Sequence, residues 1–150
     1  MLWADFESID HERFMREALV EAEAALAVGD LPIGSVIVCE GAVLARGRNR
    51  IRSDSSQLAH AEMVALLNGG ELLFRRFEEC IIYSTREPCI MCLGAIAMAD
   101  VRHVVFGSTD PGRGGTDMFT NVPYVHSQVH RYVGGVLARE CQMMFDKRTW

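Results

Sequence analysis

The sequence predicts an α/β domain in which an antiparallel hairpin precedes strand, helix, strand crossovers. Three observations predict it. Short β-branched runs alternate with segments of helical periodicity. The first two runs are separated only by a tight turn, whereas later ones are separated by whole helices, which parallel pairing requires. Finally, 150 residues with a hydrophobic fraction of 49% suit one compact domain over 1–150 that buries a core without staples.

From Asp10 to Val28 the apolar residues Phe14, Ala18, Ala22, Ala25 and Leu26 recur at helical spacing. Asp10 is placed to cap the start and Gly29 to end it. Ser35 to Cys39 and Val43 to Gly47 flank Glu40-Gly41, a short hairpin connection. The polar stretch Ser53 to Gln57 leads into a second helix, His60 to Asn68, which Gly69-Gly70 should stop. Cys80 to Ser84 reads as a buried strand, Cys89 to Ala99 as a third helix, and His103 to Phe106 as another buried strand. Asp110 to Thr116, with one proline and three glycines, reads as a loop near the site. Val129 to Val133 supplies a fifth strand, and Leu137, Cys141, Met144 and Phe145 share one face of a last helix.

The formal net charge of -5 opposes loose attachment to phosphate backbones and favours a small substrate. Acids at the start, where a secretory signal would be basic and then apolar, and the lack of a long apolar run predict a soluble cytoplasmic protein with no membrane segment. Five cysteines in such a chain point away from a disulfide framework. Cys39, Cys80 and Cys141 sit in apolar runs and read as core.

The decisive pattern is His60-x-Glu62 followed, one strand later, by Pro88-Cys89-x-x-Cys92. Two cysteines three apart at a helix start lie on one face, and the helix N-terminus favours the thiolates that bind metal. His60 also opens a helix, so two helix starts aimed at one point supply an imidazole and two sulfurs, a set that suits zinc. Three protein ligands leave one position open for water or hydroxide, the mark of a catalytic site. Glu62, two residues from His60, falls on a different side of the helix and reads as a proton carrier rather than a fourth ligand. Each half alone also occurs in redox sites, structural zinc ribbons or ordinary cores; the two halves together form the zinc-deaminase signature.

On these residues the chain resembles the cytidine-deaminase-like superfamily, in the branch of bacterial tRNA adenosine deaminases, guanine deaminases and the fungal cytosine deaminase. The resemblance runs from about Asp10 to Cys141 and is carried by Leu31 to Val38, Asn49, Ala59-His60-Ala61-Glu62, Glu87-Pro88-Cys89-Ile90-Met91-Cys92 and Val104 to Gly107. It implies a three-layer α-β-α sandwich with a mixed five-stranded sheet, one Zn²⁺ per chain, and a homodimer. It also implies that Asn49 hydrogen-bonds the substrate ring or sugar, and that the backbone N–H of Ala61 and C=O of Glu87 meet the ring edge and leaving amine. Ile33 joins these as a candidate substrate contact.

Which ring is deaminated does not follow from the fold. The opening and closing segments look like the tRNA enzymes, but those usually carry Asp-Pro-Thr where this chain has Ser56-Gln57-Leu58, and they end in a basic helix that is missing here. The expected substrate is therefore a free nucleobase, nucleoside or similar amino-substituted heterocycle, with adenosine in the tRNA anticodon loop as the alternative. Arg86 stands where relatives commonly have Leu, and reads either as a substrate contact at the pocket lip or as half of a salt bridge. Arg46, Arg48, Arg50 and Arg52 alternate near Asn49, which would suit RNA or simply a solvated strand edge. Phe119, Tyr124, His126 and Trp150 are flat rings able to stack on a base or to pack internally, and Phe119 is taken as the candidate contact.

Overall fold

The three inner strands of the central sheet are buried because helices cover it from both sides. The computed structural model describes residues 1–150. In chain order it contains α1 (His11–Ala27), β1 (Gly34–Cys39), β2 (Ala42–Arg48), α2 (Ala61–Arg76), β3 (Cys80–Arg86), α3 (Ile90–Met98), β4 (His103–Ser108), α4 (Thr116–Asn121), α5 (Pro123–Gln128), β5 (Arg131–Val133) and α6 (Ala138–Asp146). The five strands form one mixed sheet in the order β2-β1-β3-β4-β5. β1 runs antiparallel to β2 and β3, whereas β3, β4 and β5 are parallel.

Alternation along the strands separates two apolar layers. Val36, Val38, Ile81, Tyr83 and Val105 face Phe14, Met15 and Ala18 of α1 and Cys141 of α6. Ile37, Ile82, Val104 and Phe106 face Ala65 and Leu73 of α2 and Leu93, Ile96 and Ala97 of α3. This is the expected three-layer sandwich. Burial of the largest of these side chains stabilises the fold by roughly 1.5–3 kcal/mol each. Cys39, Cys80 and Cys141 are buried core residues, as expected.

Local chemistry accounts for the ends of the elements. The Asp10 carboxylate accepts from the Arg13 backbone N–H at 3.1 Å and caps α1, and Gly29 follows its end at φ 86°. Glu40 and Gly41 both take positive φ, 50° and 76°, the pairing a tight hairpin turn uses. At Gly47 a Cβ would overlap the Ala61 carbonyl and the Ala65 backbone, so the missing side chain lets α2 lie directly on the hairpin. That approach fixes the first turn of α2, where the candidate ligand His60 and Glu62 sit.

Several expectations need correction. Gly69-Gly70 does not stop the second helix: Gly70 turns to φ 49°, and helix resumes through Arg76 so that Leu73 reaches the core. Two short helices, α4 and α5, occupy residues after the predicted loop, where Pro123 begins α5 and Val125 is buried. The fifth strand is only Arg131–Val133. The four alternating arginines do not line one extended edge, since β2 ends at Arg48 and the chain turns after Arg50. No helix is long and apolar enough to cross a membrane.

At the start of β4, His103 is 5% exposed, with Phe6 and His130 rings nearby and the Arg131 guanidinium donating to Nδ1 at 3.5 Å. Burial, reinforced by Arg131 and His130, pushes its pKa down to about 4. The folded protein therefore keeps His103 neutral where the unfolded chain, at about 6.5, takes a proton. Stability from this group is present above pH 6.5 and is lost as pH falls to 4, by up to about 3 kcal/mol. Urea titrations of His103→Gln should fall less steeply than those of the native protein across that window. Parallel curves would show that His103 does not carry the acid lability.

Candidate metal centre and active site

The starts of two helices converge beside the carboxyl end of β3. His60 is the N-cap of α2 and Cys89 the N-cap of α3, both with extended backbone, and Cys92 lies one turn into α3. His60 Nδ1 is 3.5 Å from Cys89 Sγ and 3.5 Å from Cys92 Sγ. All three ligand atoms lie within 4.8 Å of one another, a group able to hold a metal ion.

The spacing fits zinc. Tetrahedral bonds of about 2.3 Å to sulfur and 2.0–2.1 Å to nitrogen separate S and N by about 3.5–3.6 Å. One of the two thiols is already poised for it. Cys89 is drawn down to about 4, chiefly by its hydrogen bond with Cys92 and then by His60, while Cys92 is raised by sharing with Cys89 and by burial. A coordinated dication deprotonates such thiols outright.

Glu62 sits in the first turn of α2, 4% exposed, and burial raises its carboxyl above the usual carboxylate range. Ser84 Oγ, on β3, donates to its Oε1 at 2.6 Å. These groups lie in or beside a cavity of about 440 Å³ lined by His60, Ala61, Glu62, Cys89, Asn49 and Ile33, among others. That volume is in the range of small-ligand sites. Asn49 is 1% exposed; its Oδ1 accepts from the Ile51 N–H at 3.2 Å, and its amide N–H₂ has no protein partner. The structure thus brings together eight of the nine residues expected near Glu62: His60, Cys89, Cys92, Asn49, Ala61, Glu87, Arg86 and Ile33.

Phe119 is the exception. It stacks on Tyr132 at 5.1 Å, packs against His126 and joins the core beneath α4, so it does not line the cavity. Arg86 does line the cavity, but its Nε lies 3.3 Å from Asp110 and its guanidinium 3.9 Å from the Phe145 ring centre. The salt-bridge reading of Arg86 is the one seen, and the pair ties the loop after β4 to α6.

Sequence spacing did not reveal Leu31, Ile51, Phe145 and Arg148 in the outer walls, whereas Asp110 and Arg113 belong to the loop expected near the site. Nor did it reveal what the Glu87 side chain does. Its carboxylate, 6% exposed, accepts from Asp110 N at 3.1 Å, Thr116 N at 3.1 Å, Thr116 Oγ1 at 2.7 Å and Tyr132 OH at 2.8 Å. One buried acid thereby clamps the glycine-rich loop against the start of α3. The loop completes the clamp through Ile90 N–H donating to Arg113 O at 3.2 Å and Gly115 N–H to Pro88 O at 2.9 Å. Glu87→Ala strands several buried donors and should cost about 2–4 kcal/mol. Tyr132→Phe, which removes one of the four, should cost about 1 kcal/mol. Equal urea midpoints for native and Glu87→Ala protein would dispose of the clamp.

Comparison with known proteins bears on this geometry. Residues 8–108 match the model of the cytidine and deoxycytidylate deaminase zinc-binding region. The chain is 38% identical over 138 residues to the tRNA-specific adenosine deaminase of Bacillus subtilis (strain 168), covering 90% of this chain and 86% of that protein. A solved tRNA A34 deaminase superposes with a TM-score of 0.79 at 36% identity, covering 88% of this chain and 98% of the other. Guanine deaminase from Bacillus subtilis gives 0.62 at 30% identity, covering 76% and 77%. The matched region contains His60, Glu62, Cys89 and Cys92. The chain belongs to the cytidine and deoxycytidylate deaminase family and is a zinc-dependent hydrolytic deaminase.

Proposed function

We propose that this single 150-residue domain is a tRNA-specific adenosine deaminase, hydrolysing the 6-amino group of an anticodon-loop adenosine to give inosine and ammonia. The observation that carries the reading is the near full-length match to a tRNA-specific adenosine deaminase. The expectation of a free nucleobase or nucleoside as substrate and partner is corrected by that match and by the structural match to a tRNA A34 deaminase. The departure at Ser56-Gln57-Leu58 that helped prompt it lies outside the metal corner and Glu62. A transfer RNA substrate agrees with the cytoplasmic location that the sequence predicts.

His60, Cys89 and Cys92 hold the metal in this reading. Zinc bound there would supply a Lewis acid that brings the pKa of water down to about 7. The protein's own residues do the rest. Glu62 takes a proton from the attacking water and passes it to ring nitrogen N1 as the new C–O bond forms at C6. It then carries the second proton to the amine as the C6–N bond breaks, so water and adenosine balance inosine and ammonia. The Ser84 hydroxyl holds the carboxylate at one oxygen and leaves the other for this shuttling. Asn49 offers its free amide N–H₂ to the ring or sugar, and the Ala61 N–H and Glu87 C=O meet the ring edge and leaving amine. Burial keeps Glu62 a better proton carrier than an exposed carboxylate.

The test is inosine formation on a tRNA anticodon stem-loop beside ammonia release from free adenosine, guanine and cytosine. The stem-loop should be preferred in kcat/KM by a factor of about 100 or more, the discrimination expected when remote binding energy serves the reacting centre. Preference for a free base or nucleoside would refute the assignment. Glu62→Gln should retain stoichiometric zinc by metal analysis and lose at least about 10²–10⁴ in kcat. Chelation should abolish activity, with zinc restoring it.

A further inference from the structure

We propose that the mouth of the cavity carries a second binding element, in which Arg52, Trp150 and Arg113 hold the phosphates and a neighbouring base of single-stranded RNA beside the target adenosine. The inference rests on the tRNA reading above and names where that substrate is gripped outside the reacting ring.

Trp150 is the last residue of the chain, yet its indole is fixed. Its Nε1–H donates to the Gly29 carbonyl at 2.9 Å, and the Arg52 guanidinium lies 4.3 Å from its ring centre. It lines the cavity and remains 40% exposed, so an aromatic surface is presented at the entrance rather than packed away. Its partner is equally well placed. The backbone N–H of Arg52 donates to Asp30 Oδ1 at 2.9 Å, and Ser53 donates to the same carboxylate from N at 3.1 Å and from Oγ. Asp30 is 2% exposed, so the segment bearing Arg52 is pinned to the interior.

Arg113 lines another part of the same wall, on the loop that Glu87 clamps. Its backbone N–H donates to Asp110 Oδ1 at 3.2 Å and its carbonyl accepts from Ile90. Unlike Arg46, Arg50, Arg76 and Arg86, neither Arg52 nor Arg113 makes an ion pair. One guanidinium without an ion pair, Arg113, therefore lines the cavity wall, and a second, Arg52, sits against the cavity-lining Trp150 ring, in a chain whose net charge is -5.

Guanidinium groups recognise phosphate in two-pronged fashion, and an aromatic ring offers any base a stacking surface. An adenosine seated at the cavity floor must leave its own stack, which puts its flanking phosphates and bases at the entrance. A free nucleobase has nothing to place there. The rim thus favours a polynucleotide without requiring a basic protein.

Steady-state kinetics on an anticodon stem-loop test the idea with Arg52→Gln, Arg113→Gln and a chain lacking Trp150. Arg75→Gln, an exposed α2 arginine paired with Glu71 away from the cavity, serves as control. Each rim variant should raise KM about tenfold, a loss typical of one stacking or phosphate contact, and each arginine removed should flatten the slope of log(kcat/KM) against log salt by about 0.7. The control should match the native protein in both. If the stem-loop is deaminated and the rim variants keep native KM and salt slope, the rim is overturned while the tRNA assignment stands. If the native protein makes no inosine in the stem-loop, the assignment fails and the rim with it.

Discussion

The structure depends on one convergence: the N-termini of α2 and α3 must bring an imidazole and two thiols to within bonding reach of a single ion. Each helix supplies its N-cap residue to this point, His60 from α2 and Cys89 from α3. A helix start has unsatisfied N–H groups and a positive dipole end, so thiolates are favoured there and Cys92 N–H can turn back on Cys89 Sγ at 3.5 Å. The sheet sets the distance between the two N-termini. Gly47 lets α2 settle onto the hairpin, and β3 delivers the chain to Pro88 and Cys89. A shift of either helix by one residue would remove a ligand from reach.

The cavity lies at the carboxyl end of β3, which pairs antiparallel with β1 on one edge and parallel with β4 on the other. Strands that run together there diverge into separate loops, which leaves a crevice. Glu87 and Arg86, adjacent at the end of β3, divide the work of closing it. Glu87 holds the loop after β4 from inside through buried hydrogen bonds, and Arg86 holds the same loop at Asp110 while stacking on Phe145 of α6. Both act on the metal corner indirectly, because the loop they hold is bridged to Cys89 through Gly114.

Legibility from sequence followed the range of the interaction. The metal corner and Glu62 were readable because a helix start converts spacing of two or three residues into a direction in space. The strands were readable from short runs such as Val36 to Val38, whose burial leaves no polar alternation to obscure them. By contrast, α4 and α5 are six residues each, too short for a periodic signal, and Gly69-Gly70 looked like a stop because φ 49° at Gly70 alone does not tell a kink from an end. Phe119 and Trp150 were indistinguishable as flat aromatic rings. Only the three-dimensional path shows that Tyr132 captures one while the Gly29 carbonyl holds the other against the cavity wall.

The same distinction between sum and place explains why net charge misdirected the substrate reading. A total of -5 is a statement about the distant field, which decays within about 10 Å at ordinary ionic strength. Recognition of a polynucleotide segment is decided inside that distance, by which charges lack a partner. Acids such as Glu17, Glu21, Glu71 and Asp54 are matched by neighbouring arginines on outer surfaces, so they count in the total without repelling anything at the cavity. Arg52 and Arg113 count for little in the total, but neither has an ion-pair partner: Arg113 lines the cavity and Arg52 stacks on Trp150, which lines it too. An acidic protein can therefore present a locally cationic mouth, and under the proposed tRNA reading, in which one flipped-out nucleotide is admitted, the mouth is the surface that matters.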